Sequence, residues 1–134
     1  MFEEKLEEEK VKQMQPLVLA MIGDSVQTLF VREFVAKTYG AKVNKMNKIV
    51  TSVVKAGSQY ISYKKIESEL TKTEIDIARR ARNTHIHTKA KNFSYTEYIY
   101  ATALEAVIGY LYLTKNNERL NFVLNKTLEE LVIE

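Results

Sequence analysis

Two acidic residues stand alone in this sequence. Between Lys12 and Arg32 the single charged residue is Asp24, at the centre of PLVLAMIGDSVQTLFV. Between Glu97 and Lys115 it is Glu105, in YIYATALEAVIGYLYL. Segments this apolar belong in a core, and an isolated carboxylate there is disfavoured by desolvation unless it is paired or ligates a metal. Gly23 precedes Asp24, and Gly109 lies one turn after Glu105 on the same face. Glycine inside a helix costs about 1 kcal/mol relative to alanine, so its use in both segments points to close backbone approach. If the two helices cross there, the carboxylates converge. Ser25, Gln27 and Thr102 add hydroxyl and amide oxygens, with no His or Cys nearby. Such hard oxygen donors suit magnesium, or manganese as a substitute, with several waters retained.

Three other readings compete. Asp24 or Glu105 could pair with Arg32 or with an arginine from the middle of the chain as a structural salt bridge. Either could face a solvent cleft. A transmembrane hairpin would need about 20 apolar residues per span, and these shorter runs are interrupted by an acid, Gln27 and Thr102, so no membrane is expected.

Charge supplies the second signal. The net +3 conceals a block from Lys42 to Lys91 with twelve basic and four acidic residues, between flanks that are both net acidic. A basic block is the footprint of a polyanion partner or of a solvated lysine-rich surface. Arginine numbers five against fifteen lysines, yet Arg79, Arg80 and Arg82 fall within four residues. On a helix, Arg79 with Arg82, or Arg80 with Asn83, project together and could grip adjacent phosphates; pairing with Glu74 and Asp76 is the plainer alternative. Basic residues beside a carboxylate metal site point to phosphodiester chemistry, with a metal-oriented water attacking phosphorus.

Helices must position these groups. With one Pro, four Gly and no Cys in 134 residues, the chain lacks the turn chemistry of a many-stranded sandwich, any disulfide frame and any thiolate zinc site. The length predicts one all-α domain, a helical bundle over 1–134 with residues 1–14 as an acidic, frayed lead-in. Pro16 and Gly40 bracket a helix over 16–39. Asn44 would cap a second, starting near Lys45 and continuing to the Tyr60, Ile61 pair, with Gly57 a weak point. Thr71-x-x-Glu74 and Ser94-x-x-Glu97 fit the capping box, announcing helices over 73–83 and 96–115. Asn116 and Asn117 turn the chain into a last helix reaching about Leu131. The start, MFEEKLEEEK, lacks the apolar stretch of a secretory signal, so a cytoplasmic protein is expected.

The segment IGDSV around Asp24 resembles the signature helix of the ribonuclease III family, and LEAVIGYLYL around Glu105 resembles that family's E-A-L-I-G-A-L-Y-L helix. Length, the RRARN of 79–83, the KxKN of 89–92 and TALEAVIGYLYL of 102–113 are similar to the Mini-ribonuclease III subfamily, a bare catalytic domain without a double-stranded-RNA-binding module. The motifs occur in the family's order and cover most of the chain.

The resemblance implies an all-helical, homodimeric endonuclease that cuts double-stranded RNA with magnesium, leaving 5′-phosphate and 3′-hydroxyl ends. It implies a role in maturing the precursor of large-subunit (23S) ribosomal RNA, with help from a ribosomal protein. Asp24 matches the signature aspartate and Glu105 the metal-holding glutamate. Three further acids of full-length ribonuclease III signature positions fall on Leu17, Ala20 and Thr102, so the site is pared to two carboxylates and a second protein-held metal is in doubt.

A-form RNA is read through phosphates, 2′-hydroxyls and shape. Lys45 and Lys48, the arginine helix with Asn83, and a loop over 84–92 carrying Lys89, Lys91 and Asn92 are therefore the expected duplex surface. His85 and His87 lack a third metal ligand, which favours a loop touching RNA or solvent over zinc. Tyr98, Tyr100, Tyr110 and Tyr112 read as packing residues. Two rival functions stay open: a noncatalytic RNA-binding or ribosome-assembly protein that keeps this fold, suggested by the missing acids at Leu17 and Thr102, and a purely structural helical dimer whose Asp24 and Glu105 pair with arginines.

Overall fold

The computed structural model describes residues 2–40, 42–84 and 93–133, all α-helix, 3₁₀ turn and connection. Among the described residues seven α-helices follow in order: α1 (Glu8–Lys12), α2 (Pro16–Tyr39), α3 (Val43–Val54), α4 (Ala56–Ile66), α5 (Lys72–Asn83), α6 (Phe93–Leu113) and α7 (Asn117–Thr127). Single 3₁₀ turns at Glu67–Glu69 and Leu128–Glu130 follow α4 and α7.

Helix α6 is the axis of the bundle. From Ala101 to Leu111 every residue but Glu105 is buried, because α2 packs along one side while α4 and α5 cover the others. Leu104, Ile108 and Leu111 meet Leu19 of α2, Tyr63 and Ile66 of α4 and Ile77 of α5 in one apolar cluster. A smaller cluster joins the C-terminal half of α2, through Val31 and Val35, to Ile49, Val50 and Val53 of α3. Helix α2 stops at Gly40, whose left-handed φ of 52° ends the helix without the penalty a Cβ would incur.

Where sequence patterning and structure part, the cause is tertiary. The second expected helix breaks at Lys55, whose extended backbone separates α3 from α4, two residues before Gly57. Ser58 Oγ donates to Ser52 O at 2.5 Å across that break. The break lets α3 follow α2 while α4 turns onto α6. Helix α3 starts at Val43, so Asn44 lies inside it and does not cap it. Helix α6 starts at Phe93, which puts Ser94 within the first turn, and it ends at Leu113 where Lys115 enters the left-handed region at φ 55°.

The Thr71 capping box forms as expected, with Glu74 N–H donating to Thr71 Oγ1 at 3.2 Å and Thr71 N–H donating to Glu74 Oε1 at 3.1 Å. Glu74, 2% exposed, also receives two hydrogen bonds from the Arg119 guanidinium at 2.6 and 3.0 Å. That pair ties α5 to α7.

The expectation of a frayed lead-in fails. Val11 is fully buried, Leu6 N–H donates to Leu113 O at 3.0 Å, and Tyr110 Oη donates to Glu8 Oε1 at 2.8 Å. Tyr98 lies outside the core, being 51% exposed. No helix among the described residues is long and apolar enough to cross a membrane.

Candidate active site

The two lone carboxylates meet where α2 crosses α6. The crossing is glycine-dependent: a Cβ built on Gly23 would sit 2.6 Å from the Glu105 carbonyl carbon, and one on Gly109 would sit 2.9 Å from that of Leu19. Each glycine therefore faces the backbone of the other helix, a separation no side chain permits. Asp24 follows Gly23 directly and Glu105 lies one turn before Gly109, so the crossing brings the two carboxylates close enough for their charges to interact.

Solvent reaches this pair. Asp24 is exposed and Glu105 half-buried, so of the readings left open by the sequence the solvent-facing one holds for Asp24, and the pair is not sealed in the core. Burial raises the Glu105 carboxyl from 4.5 to about 8, against the pull of a hydrogen bond from Gln59 and with the negative charge of Asp24 adding to the rise. No Lys or Arg is ion-paired with either carboxylate among the described residues. Arg32 does not turn toward them and lies instead beside Glu33 and Asn47 in a groove between α2 and α3.

A cation between these groups would relieve both the repulsion and the desolvation. Two carboxylate groups are the usual protein share of a magnesium site, the remaining positions being water and substrate oxygens. The donor set fits that metal. No third Asp, Glu or His joins them in a metal-binding cluster among the described residues. The hydroxyls of Ser25 and Thr102 bond back to their own helices, at Met21 O (3.4 Å) and Tyr98 O (2.9 Å).

Sequence reading missed one member of the site. Gln59, from α4, donates through Nε2 to Glu105 Oε2 at 3.2 Å and to Gln27 Oε1 at 2.7 Å. An uncharged residue inside a helix carries no signal of such a role when its partners lie on two other helices.

The expected RNA-contact residues divide. Lys45 and Lys48 are exposed and share a groove of about 290 Å³ with Lys55, Thr51 and Ser52. Arg79 and Asn83 are exposed. Arg79 reaches Asp76, whereas Arg80 donates to Lys12 O at 2.8 Å and Arg82 donates to Tyr63 Oη at 3.1 Å with its guanidinium 5.3 Å from the Tyr100 ring centre. The helix spacing of Arg79 and Arg82 therefore yields two separate contacts and no joint grip. Lys89, Lys91 and Asn92, with His85 and His87, lie outside the described residues.

The Ribonuclease III domain family matches this chain over residues 17–116, a span that contains both carboxylates and both crossing glycines. The chain belongs to the ribonuclease III family. Ribonuclease III proteins are endoribonucleases, and the curated relatives narrow the membership. Mini-ribonuclease 3 of Clostridium tetani is 42% identical over 90% of this chain and 81% of its own length. Mini-ribonuclease 3 of Staphylococcus aureus is 40% identical over 88% of this chain and 90% of its own. A crystal structure of a Fusobacterium nucleatum protein superposes with a TM-score of 0.77 at 34% identity, covering 87% of this chain and 93% of that one. This ribonuclease III chain thus sits with the Mini-ribonuclease III group, as the ordered motifs imply.

Proposed function

We propose that this protein is a magnesium-dependent endonuclease of double-stranded RNA whose active site is Asp24 with Glu105. The observation that carries the reading is the convergence of two lone carboxylates across a glycine-made helix crossing, with no Lys or Arg of the described residues paired to either. A structural salt bridge would have required one.

Asp24 and Glu105 would hold the metal, manganese serving as a substitute. What a bound magnesium supplies is a water of lowered pKa and neutralisation of charge at the phosphate and leaving oxygen. Asp24, at the exposed edge, meets the incoming RNA backbone, and Glu105 anchors the site from its half-buried position. Attack on phosphorus with departure of the 3′-oxygen leaves 5′-phosphate and 3′-hydroxyl ends. With Leu17 and Thr102 in place of two of the family's acids, the site would hold one metal through protein groups, its other ligands coming from water and RNA.

Duplex binding is assigned to Lys45, Lys48, Arg79 and Asn83, joined by Lys89, Lys91 and Asn92. Arg80 and Arg82 shape that surface from behind by fixing α5 to the lead-in and to α4. The protein works as a homodimer. Leu17, Met21 and Leu29 of α2 are 43, 63 and 61% exposed along one side of the helix, an apolar face that a second copy would cover. Similarity to Mini-ribonuclease 3 proteins supports a cytoplasmic role in maturing the large-subunit (23S) ribosomal RNA precursor, aided by a ribosomal protein, with 1–134 acting as a single catalytic domain.

The test is incubation with a fully paired RNA and with each of its strands alone, in magnesium or in a chelator. Cutting of the duplex only, in magnesium only, with 5′-phosphate ends, is the expected result. Tight duplex binding without cutting in either condition would favour the noncatalytic RNA-binding alternative.

A further inference from the structure

Glu105 is steered by a neutral side chain. Gln59 is 3% exposed and Gln27 fully buried, and they link α4 to α2 behind the carboxylate of α6. In the ionised form that would hold a cation, Glu105 only accepts, so the group that Gln59 turns toward it must be its NH₂. The second N–H of that group then needs an acceptor, which Gln27 Oε1 provides at 2.7 Å. Gln27 is thereby locked with its oxygen toward Gln59, and its own Nε2 has no partner among the described residues. A buried donor left unpaired is destabilising, a penalty that two apolar side chains in the same space would avoid.

We propose that Gln59 is a positioning residue for the metal site, aiming the Glu105 carboxylate toward Asp24 through one amide proton while Gln27 clamps the other. The proposal rests on the reading of Glu105 as a metal ligand. A neutral donor suits the task better than a cation. An Lys or Arg at position 59 would orient Glu105 equally well but would neutralise it and compete with the divalent ion for it. An amide supplies direction without charge, so the carboxylate pair keeps its full attraction for a cation. Partners of this kind behind a metal ligand typically govern 10- to 100-fold in metal affinity.

The test compares Gln59→Met, which keeps shape and burial but removes both donors, with the parent protein and Glu105→Gln. Free Mn²⁺ is titrated by electron paramagnetic resonance without RNA, and duplex cleavage is then measured across RNA and Mn²⁺ concentrations. Gln59→Met is expected to lose about tenfold or more in Mn²⁺ affinity and to lower kcat with KM for RNA unchanged, the loss being recovered at high Mn²⁺. Gln27→Met, which only unclamps Gln59, is expected to fall between the two. Mn²⁺ affinity within twofold of the parent in a cooperatively melting Gln59→Met protein would overturn the proposal. If Gln59→Met does not fold, Gln59→Asn, one methylene short of Glu105, is read against the same two outcomes. The two layers separate cleanly: parental Mn²⁺ affinity in Glu105→Gln removes the metal-ligand reading itself, whereas its loss there and retention in Gln59→Met removes only the positioning role.

Discussion

Replacing Gly23 by alanine should destabilise the protein, although the usual effect of that change in a helix has the opposite sign. At a free helical position, alanine gains about 1 kcal/mol over glycine. At Gly23 the new Cβ would overlap the Glu105 carbonyl and lie 2.9 Å from Gly109 N, both backbone groups that cannot rotate aside. Overpacking typically costs 1–3 kcal/mol, and a clash with rigid backbone belongs at or above the upper end. The net expectation is a loss of roughly 2 kcal/mol, which for a domain of this size lowers Tm by about 6–12 °C. The same displacement pushes α2 off α6 at the level of Asp24 and Glu105. Cleavage, measured well below the new Tm, should therefore fall further than the folded fraction does. Gly57→Ala is the control, since the atoms nearest its Cβ would be those of the Glu97 side-chain carboxylate at 3.3–3.8 Å and not backbone. Thermal unfolding by circular dichroism and duplex cleavage on the same preparations decide the matter. A Gly23→Ala protein as stable as its parent and fully active would refute the glycine-made crossing.

Further expectations concern protons, salt and assembly. Because Glu105 titrates at about 8 in the folded protein and 4.5 otherwise, the metal-free fold loses stability as pH rises between those values, the unfolded chain releasing its proton first; melting curves across that window should show the decline, and Glu105→Gln should flatten it. Metal binding near neutral pH must then expel that proton, so calorimetry in buffers of differing ionisation heat should find close to one proton released, vanishing well above pH 8; zero release throughout would contradict the assignment. Lys45→Ala and Lys48→Ala, both at exposed positions, should each flatten the dependence of log duplex affinity on log salt by about one unit without changing Tm. Met21→Asp on the exposed face of α2 should convert a sedimenting dimer to a monomer, and an unchanged species would move the interface elsewhere.

What sequence could reveal followed the range of the interactions involved. The Thr71 cap and the Pro16 and Gly40 boundaries are local chemistry, so α5 and α2 were legible residue by residue. The break at Lys55 was not, because no proline or glycine stands there; α3 and α4 part company to serve different partners, α2 and α6. The start of α6 was misplaced for a related reason: Ser94-x-x-Glu97 is a valid capping pattern, but nothing in it forbids the helix from beginning a turn earlier. Asp24, Glu105 and the two glycines could be read because lone acids and helical glycines are costly and so conspicuous. Gln59 could not, since its partners lie 32 and 46 residues away and its side chain carries no charge. The arginines show the converse, a conspicuous cluster whose members serve three different contacts.

The cleavage rate of Asp24→Asn on paired RNA in magnesium tests the account most directly. Asp24 is exposed and pairs with no cation among the described residues, so its neutralisation should leave stability within about 0.5 kcal/mol of the parent. The account predicts a folded protein that still binds the duplex and cuts it about 100-fold more slowly or not at all. Undiminished cutting by Asp24→Asn would contradict it, and so would a collapse of the fold, which would mark Asp24 as a structural residue.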